Sequence, residues 1–127
     1  LHKEPLFLEK HGVMGILLRP PGEIKRHASA TARSLKKSFA EKLEIGIQKD
    51  VSEIGGGSLS TEQLPTYVVT VKPKTISVQE LARGLRMYDV PVYPRVSDDA
   101  VLLDFRTVLK GEEKIILKAF TKVLSTQ

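Results

Sequence analysis

A two-layer α+β domain is the fold this sequence predicts: a mostly antiparallel four-stranded sheet with helices on one face, in the order α-β-β-α-β-β-α. Three observations point to it. Apolar residues recur at helical spacing in three separate stretches. Between those stretches lie alternating or β-branched runs, which read as strands. Each helical stretch is apolar along one stripe, and a sheet with its helices on one face is the economical way to bury the stripes together.

The first helix is expected after Gly22. Ile24, Ala28, Ala32, Leu35, Phe39 and Leu43 fall on one face at spacings of three and four, with lysines and arginines opposite, over about six turns. The period then switches to two, with Leu43, Ile45 and Ile47 alternating with Glu44, Gly46 and Gln48, so a half-buried strand follows. Three glycines interrupt it, and Tyr67-Val68-Val69-Thr70-Val71 makes the second strand, closed by Pro73. Ser77-Val78-Gln79-Glu80 reads as a capping box opening a helix whose inward positions are Val78, Leu81, Ala82 and Leu85. Asp89 to Val96 is a second β region, and Ser97-Asp98-Asp99 turns it into Val101–Phe105. Glu112 to Leu124 closes the order as a helix with Ile116, Phe120 and Val123 inward.

Ahead of these elements, Val13, Met14, Ile16, Leu17 and Leu18 form an apolar patch that the Pro20-Pro21 pair stops. It is too short to bury itself, so residues 1–21 are expected to be a linker or hinge and residues 22–127 the domain. The chain starts at Leu1 with no cap or turn signal, and reads as a piece of a longer protein.

Composition narrows the function classes. At 127 residues, 41% apolar and 28% charged, the chain has the balance of a folded domain rather than a disordered one. The absence of cysteine excludes a disulfide framework and a thiolate metal site. No run approaches the roughly 18–20 apolar residues of a membrane span, and no signal-peptide pattern opens the chain; cytoplasmic residence is the expectation. His2, His11 and His27 have no second ligand cluster near them and read as surface histidines. The net charge is +5, and between Gly22 and Leu43 six Lys and Arg face only two Glu. Such a face can meet phosphates or be the solvated side of an amphipathic helix.

No catalytic constellation is present: no Gly-x-Ser-x-Gly, no Walker loop, no paired histidines. Three groups carry interest. Gly55, Gly56, Gly57 and Ser58 form a loop with more glycine than a hairpin turn requires, suited to close backbone approach to a ligand or another domain, or to a flexible connection. Arg95 and Arg106 are charged residues in apolar strands; each suits a phosphate or carboxylate, or pairs with Asp104 or Asp98 on the exposed side of the sheet. Asp98-Asp99 suits turn geometry, and Lys36 and Lys37 sit on too polar a face to become nucleophilic.

In that order, Gly55 to Pro65 (Gly-Gly-Gly-Ser-Leu-x-x-x-x-Leu-Pro), Leu81-Ala82-Arg83-x-Leu85-Arg86, Pro91-Val92-x-x-Arg95-Val96, and Asp98 to Val108 resemble the C-terminal region of the bacterial selenocysteine synthase family. Leu18-Arg19-Pro20-Pro21-x-Glu23-Ile24 resembles the start of that region, and the likeness runs from about Leu17 to Val108. Ser60 departs from it, standing where the family commonly has proline, and residues 11–16 fit poorly.

The resemblance implies the small C-terminal domain of a pyridoxal-phosphate enzyme of the aspartate-aminotransferase fold type. The enzyme would convert seryl-tRNA(Sec) to selenocysteinyl-tRNA(Sec) with selenophosphate as donor, and would assemble into rings of dimers. It places the cofactor lysine upstream of Leu1, so the chain alone would be inert and would hold no cofactor. It makes Gly55–Ser58, Arg95 and Arg106 the candidate substrate-facing residues, with no catalytic, cofactor or metal residue. The alternatives are the small domain of a related lyase acting on a small amino acid or amino-sugar acid, and a stand-alone basic module binding RNA or protein.

Overall fold

A computed structural model describes residues 19–55 and 61–125 of the chain. Helix α1 spans Pro21–Phe39, β1 Leu43–Gly55, β2 Thr61–Pro73, α2 Val78–Arg86, β3 Arg95–Val96, β4 Val101–Asp104 and α3 Glu113–Ser125. The order is the predicted one, and the four strands pair antiparallel as β1-β2-β4-β3.

Helix α1 begins where proline is tolerated, at its first turn, with the Pro20 carbonyl accepting from the Glu23 and Ile24 amides at 3.0 and 3.1 Å. Glu23 in the first turn and Lys36 and Lys37 in the last complement the helix dipole. Its buried stripe is Ile24, Ala28, Thr31, Ala32 and Leu35. The helix stops at Phe39, four residues short of the predicted end. Leu43 fits the period of the helix before it and of the strand after it, and cross-strand pairing with Pro73 places it in β1.

The β1–β2 hairpin is longer than its apolar pattern suggested, in unbroken register from Leu43↔Pro73 to Gly55↔Thr61. Strand β4 covers only Val68 to Val71 of β2, so the distal hairpin projects past the sheet as a two-stranded arm. Strand β3 is shorter than expected, two residues instead of a run from Asp89. Pro91 and Pro94 supply no ladder amide, and the Val92 amide is spent on the Leu85 carbonyl at 2.9 Å.

The capping box is present: Ser77 Oγ accepts from the Glu80 amide and the Glu80 carboxylate accepts from the Ser77 amide, both at 3.0 Å. Helix α2 meets α3 at Gly84, where an added Cβ would lie 2.7 Å from Val123 Cγ2. Helices α1 and α3 lie side by side and parallel. His27 meets Glu113 near their N-termini, Phe39 and Phe120 rings stand 6.5 Å apart near their C-termini, and Lys42 Nζ donates to the Leu124 carbonyl. The core lies between this helical layer and the inward residues Leu43, Val69, Val71, Val101 and Leu103, with Phe105 beyond β4.

Candidate functional site

On the face opposite the helices, the residues singled out from sequence converge on the base of the projecting hairpin. Arg95 lies on β3 and Asp50 on β1, the two edges of the sheet, yet Arg95 Nη2 donates to Asp50 Oδ2 at 2.8 Å. The hairpin therefore coils over its own open face. This corrects the expectation that Arg95 pairs with Asp104 or Asp98. The Asp50 carboxyl is held below the usual carboxylate range, first by the Val51 amide 2.7 Å away and then by the Arg95 guanidinium. Half of the Arg95 side chain stays exposed.

Asp50 stands opposite Thr66 in the ladder. Thr66, fully buried, donates its hydroxyl to Asp104 Oδ1 at 2.7 Å, and the same oxygen accepts the Arg106 amide at 3.0 Å. Arg106 is 2% exposed, so the Asp104 carboxylate acts on its guanidinium in the interior and not on the exposed side of the sheet as expected. Its Nε and Nη2 both donate to the Pro65 carbonyl, the first at 3.1 Å. The Pro65 carbonyl needs a donor that β4 does not supply, because β4 ends at Asp104. The guanidinium provides it. Burial lowers the Arg106 pKa, with the Asp104 carboxylate opposing and the Arg19 cation adding to the shift.

The two arginines thus reach the same structure from different strands. Both brace the arm that carries the glycine-rich loop. Gly55 is the last residue of β1, opposite Thr61; Gly56, Gly57 and Ser58 lie outside the described residues. Asp98 and Asp99 sit in an exposed turn, as expected, with Asp99 3.5 Å from Lys72 Nζ.

A second polar group was not anticipated. Arg19 Nη1 donates to the carbonyls of Phe105, Arg106 and Val108 at 2.8, 3.0 and 2.8 Å, clamping the chain after β4. Its Nη2 lies 3.3 Å from His27 Nδ1, and His27 Nε2 lies 2.7 Å from Glu113 Oε1. An arginine can only donate, so Nδ1 accepts and the ring proton rests on Nε2, facing the carboxylate. Burial would raise the Glu113 pKa, but the His27 hydrogen bond and the backbone amides outweigh it and hold it below the usual value. His27 is therefore a half-buried structural residue rather than a surface one. Its i, i+3 relation to the buried Ile24 was the available signal.

Beside this clamp a cleft of about 400 Å³ opens between the 90–93 segment, β4 and α3, with Tyr93, Arg95, Asp104 and Ile115 among its walls. No lysine lines it. Every described lysine is exposed, and no group of acids and histidines among the described residues can hold a metal. A Schiff-base cofactor needs a desolvated lysine, so the described residues do not fit pyridoxal phosphate on their own. No described helix is long and apolar enough to cross a membrane.

Comparison with known proteins gives a consistent answer. Residues 3–109 match the family described as L-seryl-tRNA selenium transferase. Among curated proteins, the chain is 45% identical over 87 residues to the L-seryl-tRNA(Sec) selenium transferase of Alkaliphilus oremlandii, covering 67% of this chain and 19% of that protein. The Maridesulfovibrio salexigens protein of that name is 34% identical over 110 residues, 86% of this chain and 24% of its own length. The Moorella thermoacetica protein is 32% identical over 111 residues, 87% and 24% respectively. The chain thus spans about a fifth to a quarter of the length of the curated relatives it matches. The motifs that brace the hairpin, from Leu64-Pro65 through Arg95 to Asp104-x-Arg106, fall inside the matched region, and the chain belongs to the L-seryl-tRNA selenium transferase family.

Proposed function

We propose that this chain is the small domain of a cytoplasmic enzyme that converts seryl-tRNA(Sec) to selenocysteinyl-tRNA(Sec), with selenophosphate as the selenium donor. Residues 22–127 form that domain and residues 1–21 join it to a larger one. Pyridoxal phosphate, which supplies electron withdrawal from the seryl carbon framework when bound, belongs to the remainder of the enzyme. The match to the family over residues 3–109 carries this reading.

The work of the described residues is positional. Arg106 and Asp104 hold the Pro65–Thr66 step, Arg95 holds Asp50 across the sheet, and between them the base of the hairpin arm is fixed from both strands. A loop presented on a braced arm keeps its backbone donors in register with a substrate, which is the geometric part of catalysis. Gly55–Ser58 then face the aminoacyl end of the tRNA, and the exposed half of Arg95 is available to a phosphate there. Rings of dimers are the expected assembly.

The test is single-turnover conversion of seryl-tRNA(Sec) by the full-length protein with selenophosphate. Product formation, together with an aldimine absorbance band on adding pyridoxal phosphate, is expected. Turnover of a free amino acid in place of the aminoacyl-tRNA would point to a lyase and sink the proposal.

A further inference from the structure

The strongest unassigned feature is the charge of the helical layer. Helices α1, α2 and α3 carry ten Lys and Arg against three Glu, an excess of seven, whereas the whole chain has a net charge of +5. The remainder, the sheet face included, is therefore net acidic. The three glutamates are all in first turns, and two of them face Arg19 or His27.

The parallel packing of α1 and α3 sets two cationic stripes side by side. On α1, Arg26, Arg33 and Lys37 are exposed and lie opposite the buried Ile24–Leu35 stripe at 100° per residue. On α3, Lys114, Lys118 and Lys122 repeat every fourth residue, about 6 Å apart, and all are exposed. None of the six forms an ion pair with a described residue.

We propose that the α1–α3 face is a binding surface for the phosphate backbone of double-helical RNA. The exposed positions between the cations are small or polar, Ala30, Ser34, Thr121 and Ser125, and Leu117 beside them is partly buried against the core. The exposed large apolar residues Ile47, Val51, Met87, Val90, Tyr93 and Val96 all lie off these two helices. A membrane-seeking helix needs apolar residues to insert, and a protein interface needs apolar or aromatic anchors; this face has neither. With no exposed aromatic on α1 or α3 to stack a base, this face reads phosphate rather than sequence. The surface deepens the proposed function, on which it rests for RNA as the partner.

The test uses the full-length protein and fluorescence anisotropy with labelled tRNA(Sec) and with an unrelated tRNA, from about 50 to 200 mM salt. The helix variant is R33Q/K37Q/K114Q/K118Q. A charge-matched control, K49Q/K72Q/K74Q/K110Q, removes four lysines from outside the helices. Each lost phosphate contact flattens the plot of log affinity against log salt by about 0.7–0.9. A decrease in slope of about 2 or more for both RNAs, in the helix variant only, is expected, and R33K/K37R/K114R/K118R should retain the parental slope. An unchanged slope, or equal flattening in the control, overturns the inference, as does loss of binding to phosphatidylserine–phosphatidylcholine vesicles without a change in RNA slope. Seryl-tRNA(Sec) conversion with an unchanged slope removes the surface and leaves the function. A flattened slope in a protein that converts no seryl-tRNA(Sec) removes the function and leaves the surface.

Discussion

Replacing Arg106 with methionine separates a bracing arginine from a ligand-binding one. In the structure the guanidinium is 2% exposed and delivers two donors to the Pro65 carbonyl, beside the Asp104 carboxylate. Methionine keeps most of the volume but removes the donors and the positive charge. A charge-assisted hydrogen bond contributes about 1.5–3 kcal/mol, and a carbonyl left buried without a donor costs about 1–3 kcal/mol. Relief from burying a guanidinium offsets part of this, because taking that cation out of water is itself unfavourable. A net local destabilisation of about 2–4 kcal/mol follows. Hydrogen exchange followed by mass spectrometry reads it directly. At about 1.4 kcal/mol per tenfold change, peptides covering 61–73 should exchange at least about thirty-fold faster, along with the Phe105 amide that donates to Tyr67. Helix α2, capped by Ser77 and packed on α3 at Gly84, should keep its protection. If the hairpin amides exchange at the parental rate while turnover collapses, Arg106 is a ligand-contacting residue and the bracing argument is wrong.

Two further outcomes follow from the packing and the electrostatics. Gly84→Ala brings a methyl to 2.7 and 2.9 Å from the two γ carbons of Val123, a β-branched side chain that cannot rotate both away. It should destabilise by about 1–3 kcal/mol in urea denaturation, and Val123→Ala in the same chain should recover part of the loss; strict additivity of the two would refute the contact. Asp50 has its pKa lowered in the folded state, so its contribution is present above the unfolded value of 3.8 and is lost as pH falls through the folded one. Asp50→Asn should therefore weaken the β1–β3 contact at neutral pH and make its hydrogen exchange less sensitive to acid below about pH 4, while a parental acid response in the variant would exclude Asp50 as its origin.

The element order was legible because each helix states its period and each boundary has a local chemical marker. Proline at the start of α1 and the capping box at Ser77 are examples. Boundaries failed where one residue satisfies two periods, as at Leu43, or where prolines empty a run of its donors, as between Asp89 and Val96. The distal hairpin was missed for a related reason. Residues in a two-stranded arm are held by backbone pairing, which leaves little apolar alternation to read.

The candidate site was half legible. Arg95 and Arg106 stood out as charges among apolar residues, but their partners did not, because Asp50 is 45 residues from Arg95 and Pro65 is 41 from Arg106. Of the neighbouring carboxylates, Asp104 does stand beside Arg106, whereas Arg95 takes Asp50 rather than Asp104 or Asp98.

By itself the sequence determined the family, the α-β-β-α-β-β-α order and the cationic character of α1, because motif spacing, hydrophobic period and charge are local properties of the chain. Only the tertiary structure decided that both arginines brace one hairpin, that Arg19, His27 and Glu113 form a clamp, and that α1 and α3 align their cations on one face. Those facts depend on which distant segments touch, and contact across a fold is set by strand register and helix packing, which no local window of residues contains.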